Sequence, residues 1–488
     1  MPLWQFKSMP YWGKLKMLDF LLWGINGAVL AYFLLLNTTY FVTCLLAWKG
    51  LNHYRQRLKL IQTQELLGVM ENPSISIIAP AYNEAASCVD SVHALLNLEY
   101  PDYEILIVND GSQDDTLERL QAAFELRPVA VVPMAKLPTQ PVKQVYKSNI
   151  YANLWVIDKA NGGKADALNT GLNFCHFPLF CAIDSDTLLE RDALLRIVRP
   201  FLEDYRTVAA GGIIRIVNDC EVDKGKVKSI RLPQNYWARI QVLEYLRAFL
   251  IARVGWDQLN SLLIISGAFG LFKRSLAVDV GGYDTQTVGE DMELVVRMHR
   301  HCREQRLPYR IRFVPDPAAW TECPESLKIL SRQRERWQRG LTEVMLKHKN
   351  MCLNPHQGIL GWIVFPYFLL LETLGVLVEF LGYFTFPLSW LRGSLSWEYL
   401  IAFGALAFGY GTLISFFSLC LEQWVFFRYQ KVRDIFRLAW IALAENVGYR
   451  QLSAWWRFKG TLKTLLGLKG QWGKMERKGF QPKLDSGI

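Results

Sequence analysis

The chain has 488 residues and a formal net charge of +10, with 51% hydrophobic and 20% charged residues. This length allows one large domain with additional elements, or two to three domains. The basic residues cluster beside long apolar runs, which is typical of segments that flank membrane spans, so the charge does not indicate nucleic acid as a partner. Nine cysteines without CxxC pairs argue against a disulfide framework or a structural zinc site.

Three apolar runs are each long enough to cross a bilayer. The second contains Glu372 and Glu379, and ionisable groups at membrane depth usually face protein or water rather than lipid. Near the end, Trp455-Trp456-Arg457 indicates a helix at the membrane surface. The predicted divisions are an N-terminal segment 1–19, a transmembrane helix 20–48, a linker 49–72, a globular domain 73–350, transmembrane regions 359–391 and 399–427, and a basic interfacial tail 428–488.

The globular domain alternates strand and helix signals. Short apolar runs at 75–79, 103–108 and 179–183 predict buried strands, and helical stretches separate them. This alternation predicts an α/β domain with a doubly wound, mostly parallel sheet. Ligands of such sheets bind beyond the carboxyl ends of the strands, where polar motifs follow each of the three runs.

The first two strand-end motifs have side chains that suit a nucleoside. After the first strand comes Pro80-Ala81-Tyr82-Asn83-Glu84, in which the tyrosine ring can stack on a base and Glu84 can accept hydrogen bonds. Taken alone, this segment is better interpreted as a turn before a helix. Asp110 ends the second strand and is well placed to hold a base or ribose edge. The acidic residues that follow it, Asp114 and Asp115, also suit a helix N-cap.

Two further motifs suit a diphosphate and a divalent cation. Lys164 follows a glycine pair at a predicted helix start, a position that favours phosphate, although the spacing is not that of a P-loop. Asp184 and Asp186 stand one residue apart after an apolar strand. Such a carboxylate pair can bind Mg²⁺ or Mn²⁺, but a lone Asp-x-Asp sequence is also common in surface loops.

Glu290-Asp291, at another predicted helix start, can supply the general base that removes a proton from an attacking hydroxyl. The alternative is helix capping, because acidic residues are favoured in the first helical turn; this explanation applies most to Glu293.

The last motif lies on a helix that begins near Ser326. A spacing of three to four residues places Gln333, Arg336 and Trp337 on one face, where a guanidinium can bind a diphosphate and an indole can support a sugar. In isolation the same pattern would indicate a basic amphipathic helix on a membrane.

Together these motifs resemble those of the processive family-2 glycosyltransferases, the synthases of cellulose, chitin, hyaluronan and poly-N-acetylglucosamine. The resemblance covers about residues 70–350 and rests on Asp110, Asp184-Ser185-Asp186, Glu290-Asp291 and Gln333-x-x-Arg336-Trp337. One departure is Gly289, where cellulose synthases typically have threonine, and it favours the hyaluronan, chitin and poly-N-acetylglucosamine side.

The resemblance implies a GT-A fold with amphipathic interface helices at about 236–256 and 326–345, and an inverting transfer from a UDP-sugar to a growing glycan. Asp291 would act as the general base beside Glu290, and Asp186 would ligate the metal with Asp184. The implied donor and acceptor contacts are Pro80, Tyr82, Glu84, Asp110, Lys164, Asp184, Gln333, Arg336 and Trp337.

The resemblance also implies a multi-pass protein of the cell membrane with its catalytic domain in the cytosol, where nucleotide-sugars are found. Three spans are fewer than the larger synthases have, so an accessory subunit or a homo-oligomer would complete a channel, unless the product is not translocated. Two alternatives remain open at this point: a non-processive transferase acting on a lipid acceptor, and a membrane scaffold that only binds a nucleotide-sugar.

Overall fold

The computed structural model describes residues 9–60, 72–135, 137–185, 187–223 and 226–468. Its centre is a ten-stranded sheet with the order β3-β4-β5-β2-β1-β6-β11-β8-β12-β7, beside a small hairpin of β9 and β10. The strands are β1 Ile75–Ala81, β2 Tyr103–Asp110, β3 Leu126–Val129, β4 Val142–Ser148, β5 Leu154–Lys159, β6 Leu179–Ala182, β7 Leu188–Leu189, β8 Thr207–Ile216, β9 Glu221–Asp223, β10 Lys226–Ser229, β11 Gly270–Lys273 and β12 Arg310–Thr321.

Helices cover the sheet and continue from it in both directions along the chain. The α-helices are α1 Met9–Leu60, α2 Cys88–Leu96, α3 Thr116–Phe124, α4 Lys164–Phe174, α5 Ala193–Ile197, α6 Arg199–Glu203, α7 Tyr236–Leu246, α8 Val254–Gln258, α9 Arg274–Asp279, α10 Glu290–Glu304, α11 Leu327–Lys347, α12 Gly375–Leu391, α13 Trp397–Gly404, α14 Gly411–Val425, α15 Val432–Ala444 and α16 Tyr449–Leu465. Four segments are π-helical: Arg247–Arg253, Leu360–Val364, Tyr367–Leu374 and Ala405–Tyr410.

The sheet confirms the predicted fold class. Strand β1 lies between β2 and β6 and is parallel to both, with Ile75 opposite Tyr103 on one side and Leu179 on the other. Following the pairings outward, seven strands of the large sheet run in one direction, and β4, β7 and β11 run against them. The side chains of β6 are all buried, as expected for a strand covered on both faces.

Three helical regions are long and apolar enough to cross a membrane. Their number and composition are typical of a membrane protein. The three regions are Met17–Arg57, Leu360–Leu391 and Trp397–Val425, and they contain or closely match the predicted spans 20–48, 359–391 and 399–427. In the second region Pro366 immediately precedes a π-helical segment. Proline has no backbone N–H to donate, so the regular hydrogen-bond pattern of the helix is interrupted at this point.

The predicted interface helices are both helical. The first is α7, continued by the π-helical segment and α8, and it packs against α1, where a side chain at Gly255 would collide with the Thr43 carbonyl. The second is α11, and the C-terminal α16 packs along it. In this contact Arg457 Nε donates to Gln338 Oε1 at 3.1 Å. The Trp455-Trp456-Arg457 segment therefore packs on protein through part of its surface, because Trp456 is buried.

The start of α10 crosses α11 at an unusually close distance. A Cβ atom at Gly289 would lie 3.0 Å from the backbone of Gly340, and a Cβ atom at Gly340 would lie 2.9 Å from Gly289 Cα. Real Cβ atoms essentially never come closer than 3.0 Å to a neighbour, so position 340 needs glycine, and a side chain at position 289 would require the facing backbone to shift. This crossing explains why glycine precedes Glu290-Asp291 in this chain, and it brings two of the predicted motifs together.

We expect Gly340→Ala to lower the free energy of unfolding by about 1–3 kcal/mol, because the added methyl group overpacks a backbone contact. Thermal unfolding of the detergent-solubilised protein measures this effect. Gly27→Ala is the matched control, since Gly27 is also within a helix but a Cβ atom added there would meet no other atom within 4 Å. The control should be neutral or slightly stabilising, and equal unfolding temperatures for both variants would contradict the proposed crossing contact.

Candidate active site

The predicted strand-end side chains meet at one edge of the sheet. Because β2, β1 and β6 are parallel neighbours, the residues that follow them lie side by side. Tyr82, Asp110 and Asp184 all line one cavity with a volume of about 2180 Å³. The same cavity is lined by the other described candidates: Pro80, Glu84, Lys164, Glu290, Asp291, Gln333, Arg336 and Trp337. The fold thus brings every described candidate residue to one site.

The turn after β1 is held in place by backbone and side-chain hydrogen bonds. Asn83 has a positive φ of 55°, and its Oδ1 accepts from the Gln113 N–H at 2.8 Å. Ser185 Oγ donates to Glu84 Oε1 at 3.2 Å, which links this turn to the one after β6. Tyr82 remains 47% exposed, so its ring presents a free surface to the cavity.

Asp110 is buried and its carboxylate already accepts several hydrogen bonds. The backbone N–H groups of Gly162 and Gly163 donate to it at 2.9 and 2.7 Å, and Lys159 Nζ lies 2.6 Å from Oδ1. A carboxylate offers about four acceptor positions, so these partners, with Asn161 Nδ2 at 3.2 Å, occupy most of its capacity. Direct nucleoside contact by Asp110 stays a prediction. What the contacts establish is that Asp110 holds the glycine loop that lines the cavity.

Lys159 lies between two buried carboxylates. Its Nζ is 2.6 Å from Asp110 Oδ1 and 2.6 Å from Asp166 Oδ1, and its side chain is fully buried. A buried ammonium is tolerated only when it is paired in this way. Sequence analysis missed Lys159, although a charged residue closing an apolar strand just before the glycine loop was a usable signal.

The acidic turn after Asp110 is explained by local structure. Asp114 Oδ1 accepts from the Thr116 backbone N–H at 3.1 Å, and Asp114 Oδ2 accepts from the Ala85 N–H at 3.1 Å. Asp114 therefore ties the start of α3 to the turn after β1. Asp115 is the N-cap residue of α3, but its side chain makes no capping hydrogen bond, so the capping interpretation is wrong for Asp115, and Asp114 stabilises the helix start from the position before it.

Lys164 is the central cation of the site. Its Nζ lies 2.5 Å from Asp184 Oδ1 and 3.5 Å from Glu290 Oε1, so it joins the edge of the sheet to the start of α10. Burial opposes its charge, but the carboxylates of Asp184, Glu290 and Asp291 outweigh burial and raise the pKa of Lys164. Gly267 makes room for this ammonium, because a Cβ atom there would lie 2.7 Å from Nζ.

The two carboxylates that begin α10 differ in their surroundings. Asp291 accepts from the Gly267 N–H at 3.0 Å and from the Met292 N–H at 2.8 Å. Glu290 is buried, and its pKa is raised mainly by burial and by the charge of Asp291, against the opposing effect of Lys164. Asp291 is less buried than Glu290, and its role as the general base stays a prediction.

Glu293 is more than a capping residue, because it fastens α10 to the end of α11. Its fully buried carboxylate contacts His348 Nε2 at 3.1 Å, Lys347 Nζ at 3.0 Å and the guanidinium of Arg297. Burial would raise its pKa, but these hydrogen bonds and charges lower it to about 2. Glu293 therefore stays ionised and holds the two helices together behind Asp291.

The motif on α11 forms the opposite wall of the cavity. Gln333 is buried, and its Oε1 accepts no hydrogen bond from the described residues. Trp337 is 46% exposed, and the Arg334 guanidinium lies 4.3 Å from the centroid of its ring. Arg334 is itself paired with Glu244. The indole is thus held in position by a neighbouring cation, and part of its surface stays open to the cavity.

The predicted metal pair is described only in part. Asp186 lies outside the described residues, and within the described ranges no three histidine, cysteine or acidic side chains come together as a metal site. Asp184 fits the role of an oxygen ligand, because it lines the cavity and its side chain is 34% exposed. In this structure the carboxylate of Asp184 pairs with the Lys164 ammonium, so the position beside this carboxylate accepts positive charge.

The cavity lies beyond the carboxyl ends of the parallel strands, which is where ligands of such sheets bind. The family model "Glycosyl transferase family group 2" matches residues 179–432, just over half of the chain, and "Glycosyl transferase family 2" matches residues 76–136. The chain belongs to the family-2 glycosyltransferases.

Among characterised proteins, it is similar to poly-beta-1,6-N-acetyl-D-glucosamine synthases. It is 29% identical to that of Staphylococcus epidermidis over 273 residues, which is 56% of either chain. It is 30% identical to that of Staphylococcus aureus strain COL over 283 residues, which is 58% of either chain. The match thus spans little more than half the length of these relatives.

Two solved structures are similar at low identity. The mannosyltransferase PcManGT from Pyrobaculum calidifontis, in complex with GDP-Man and Mn²⁺, gives a TM-score of 0.48 at 17% identity and covers 90% of this chain and 99% of its own. Staphylococcus aureus TarS 1–349 in complex with UDP-GlcNAc gives 0.38 at 15% identity, covering 78% and 92%. Because both TM-scores and both identities are low, the fold assignment rests on the sheet topology alone.

We expect Lys159→Met to lower the free energy of unfolding by about 3–5 kcal/mol, because it leaves two buried carboxylates facing each other without a cation. Adding Asp166→Asn to this variant should recover part of the loss, since it removes one of the two charges. Chemical denaturation of the detergent-solubilised protein measures both changes.

The control for this prediction is Lys143→Met. Lys143 is 56% exposed and lies 3.6 Å from Asp158, so its removal should cost less than about 1 kcal/mol. A Lys159→Met variant as stable as this control would show that the buried triad does not stabilise the glycine loop.

Proposed function

We propose that the chain is a membrane-embedded inverting glycosyltransferase that polymerises a UDP-sugar of the UDP-N-acetylglucosamine type into a β-linked polysaccharide and extrudes it. The observation that carries this proposal is the continuity of the cavity. It begins at the strand ends around Asp184, passes Asp291 and Trp337, and is also lined by Asn37 and Leu406 from two of the apolar helical regions. The names of the relatives support the choice of sugar.

The part of the cavity between the apolar helices is polar, as a path for a glycan requires. Glu372 accepts from the hydroxyls of Tyr40 at 2.8 Å and Tyr367 at 2.5 Å, and Arg457 lies 3.2 Å from its other oxygen. Glu379 and Asn37 line the same space. Ionisable side chains within membrane helices are costly and mark pathways more often than packing sites.

In the proposed reaction, the carboxylate of Asp291 takes the proton from the attacking hydroxyl of the acceptor sugar. The new bond from that oxygen to the anomeric carbon forms as the bond to the β-phosphate oxygen breaks, and UDP leaves on the opposite face. The configuration is therefore inverted in a single displacement. Lys164 and Arg336 would bind the departing diphosphate, Tyr82 would stack on the uracil, and Gln333 and Trp337 would frame the acceptor.

Asp184 and Asp186 would hold Mg²⁺ or Mn²⁺ through hard carboxylate oxygens. When bound, the cation would supply positive charge against the leaving diphosphate. Lys164 lies beside Asp184 in the same site, and its ammonium would bind the diphosphate there.

For the membrane, we propose one span before the catalytic domain and two after it, with the domain and the basic tail in the cytosol. The nucleotide-sugar is cytosolic, and Lys49, Arg55, Arg428 and Lys431 flank the apolar regions on that side. An accessory subunit or a second copy of the chain would complete the passage.

Asp291→Asn should lower the rate of UDP release by about 10²- to 10⁴-fold, because the variant cannot accept the acceptor proton. The measurement is UDP release by detergent-purified protein across a panel of UDP-sugars with Mn²⁺ or Mg²⁺. The control is Asp279→Asn, whose exposed carboxylate lies outside the cavity. Polymer in the aqueous phase supports the proposal, whereas product extracted into organic solvent would favour a lipid acceptor, and no UDP release would favour a binding scaffold.

Chelation by EDTA should abolish UDP release, and excess Mn²⁺ or Mg²⁺ should restore it, because the leaving diphosphate loses its counter-charge without the cation. Asp184→Ala and Asp186→Ala should each raise the cation concentration needed for half-maximal activity. Activity unchanged by thorough chelation would contradict the metal assignment while leaving the transferase assignment intact.

A further inference from the structure

Arg253 is a cavity residue that the proposed reaction does not use. It ends the π-helical segment Arg247–Arg253 of the first interface helix and lines the cavity together with Asp291. Its guanidinium carbon lies 3.9 Å from the ring centroid of Phe249. Short π-helical segments are rare in proteins, and many of those that are known lie at functional sites. Arg253 ends such a segment, and its side chain lines the cavity.

Most cavity arginines are neutralised by a carboxylate. Arg247 pairs with Glu445 at 2.6 Å, Arg450 lies 3.6 Å from the same carboxylate, and Arg457 and Arg334 pair with Glu372 and Glu244. Arg253 differs. Within the described part of the chain its side chain makes no ion pair or hydrogen bond, and its Nε is buried without an acceptor, as is that of Arg334.

The guanidinium of Arg253 is held by weaker contacts. Burial lowers its pKa to about 10, although the negative charge of Asp291 is close enough to favour the ionised form. The Phe249 ring supports one face of the group. The Nε–H of the guanidinium is buried without an acceptor, which is unfavourable, while the side chain as a whole is only partly buried and its other N–H donors are not enclosed by protein. Oxygen atoms of a ligand in the cavity would satisfy them.

The surroundings of Arg253 indicate which ligand this is. Tyr245 lies 5.7 Å from Phe249 and 6.5 Å from Trp337, measured between ring centroids, so the three aromatic rings form a row along the interface helices. Sugar rings pack on aromatic faces. The phosphates of the donor have a different partner, Lys164, at the edge of the sheet. Arg253 thus lines the same cavity as Asp291 and contacts the Phe249 end of the aromatic row.

We propose that Arg253 binds the acceptor glycan: its guanidinium donates hydrogen bonds to the hydroxyl or acetamido oxygens of the terminal sugar and holds the attacking hydroxyl against Asp291. This assignment rests on the proposed polymerase function and adds an acceptor-binding residue to it. The donor binds without the help of Arg253.

The test measures binding without turnover. In an Asp291→Asn background with saturating UDP, we expect Arg253→Gln to weaken binding of a β-linked N-acetylglucosamine tetrasaccharide by about 10- to 100-fold, the range for losing hydrogen bonds to a charged group. The affinity of Arg253→Lys for the tetrasaccharide should lie between those of the parent and of Arg253→Gln, because lysine keeps the positive charge but not the planar arrangement of N–H donors. The affinity for UDP should change by less than about threefold in both variants.

Arg300→Gln is the matched control, since this exposed arginine pairs with Glu304 outside the cavity. Its affinity for the tetrasaccharide should equal that of the parent. Should Arg253→Gln fail to fold, the Arg253→Lys variant alone decides between weakened and unchanged binding.

Three results would overturn the proposal: unchanged tetrasaccharide affinity in the Arg253 variants, an equal loss of affinity for UDP, or a parent protein that binds no tetrasaccharide. UDP release by the chain with its native Asp291 is measured separately. Release of UDP together with an overturning result would reject the role of Arg253 alone, whereas no release with any donor would reject the proposed function.

Discussion

The site depends on one constraint, which is that three carboxylates have to be gathered around a single lysine. Asp184 comes from the end of a strand and Glu290 and Asp291 from the start of a helix more than a hundred residues later. Without a cation between them, their mutual repulsion in a partly buried cavity would open the site. Lys164 supplies that cation at 2.5 Å from Asp184 and 3.5 Å from Glu290. The lysine can occupy this place only because Asp110 holds the preceding glycines and because Gly267 has no side chain.

A chain of contacts extends from Asp291 to the second apolar region. The helix that begins with Glu290 and Asp291 crosses α11 at Gly289 and Gly340, and Glu293 fastens the same pair of helices at Lys347 and His348. One residue beyond Trp337, Gln338 accepts from Arg457, which in turn pairs with Glu372 in the second apolar region. These connections are close packing contacts and ion pairs, so a displacement of α11 would move both Asp291 and Glu372.

Two carboxylates on the walls of the cavity are paired with arginines. Glu372, in the second apolar region, has Arg457 and two tyrosine hydroxyls, and Glu445, at the end of α15, has Arg247. Pairing offsets part of the cost of placing charge away from water. Against this background the guanidinium of Arg253, which has no ion-pair partner among the described residues, is an exception that calls for a ligand.

The sequence by itself determined the order of the motifs, the parallel centre of the sheet and the three apolar helices, because each is a local signal. An apolar strand followed by a polar turn places its side chains at the ligand-binding edge whatever the rest of the chain does. Tertiary structure alone decided what these side chains contact. The carboxylate of Asp110 binds its own glycine loop, Glu293 ties two helices together instead of merely capping one, and Gly289 lies at a close backbone crossing. Lys159 and Arg253 belong to no sequence motif. The carboxylates that pair with Lys159 come from distant segments and meet only on folding, and the lack of an ion-pair partner for Arg253 among the described residues is likewise visible only in the folded chain.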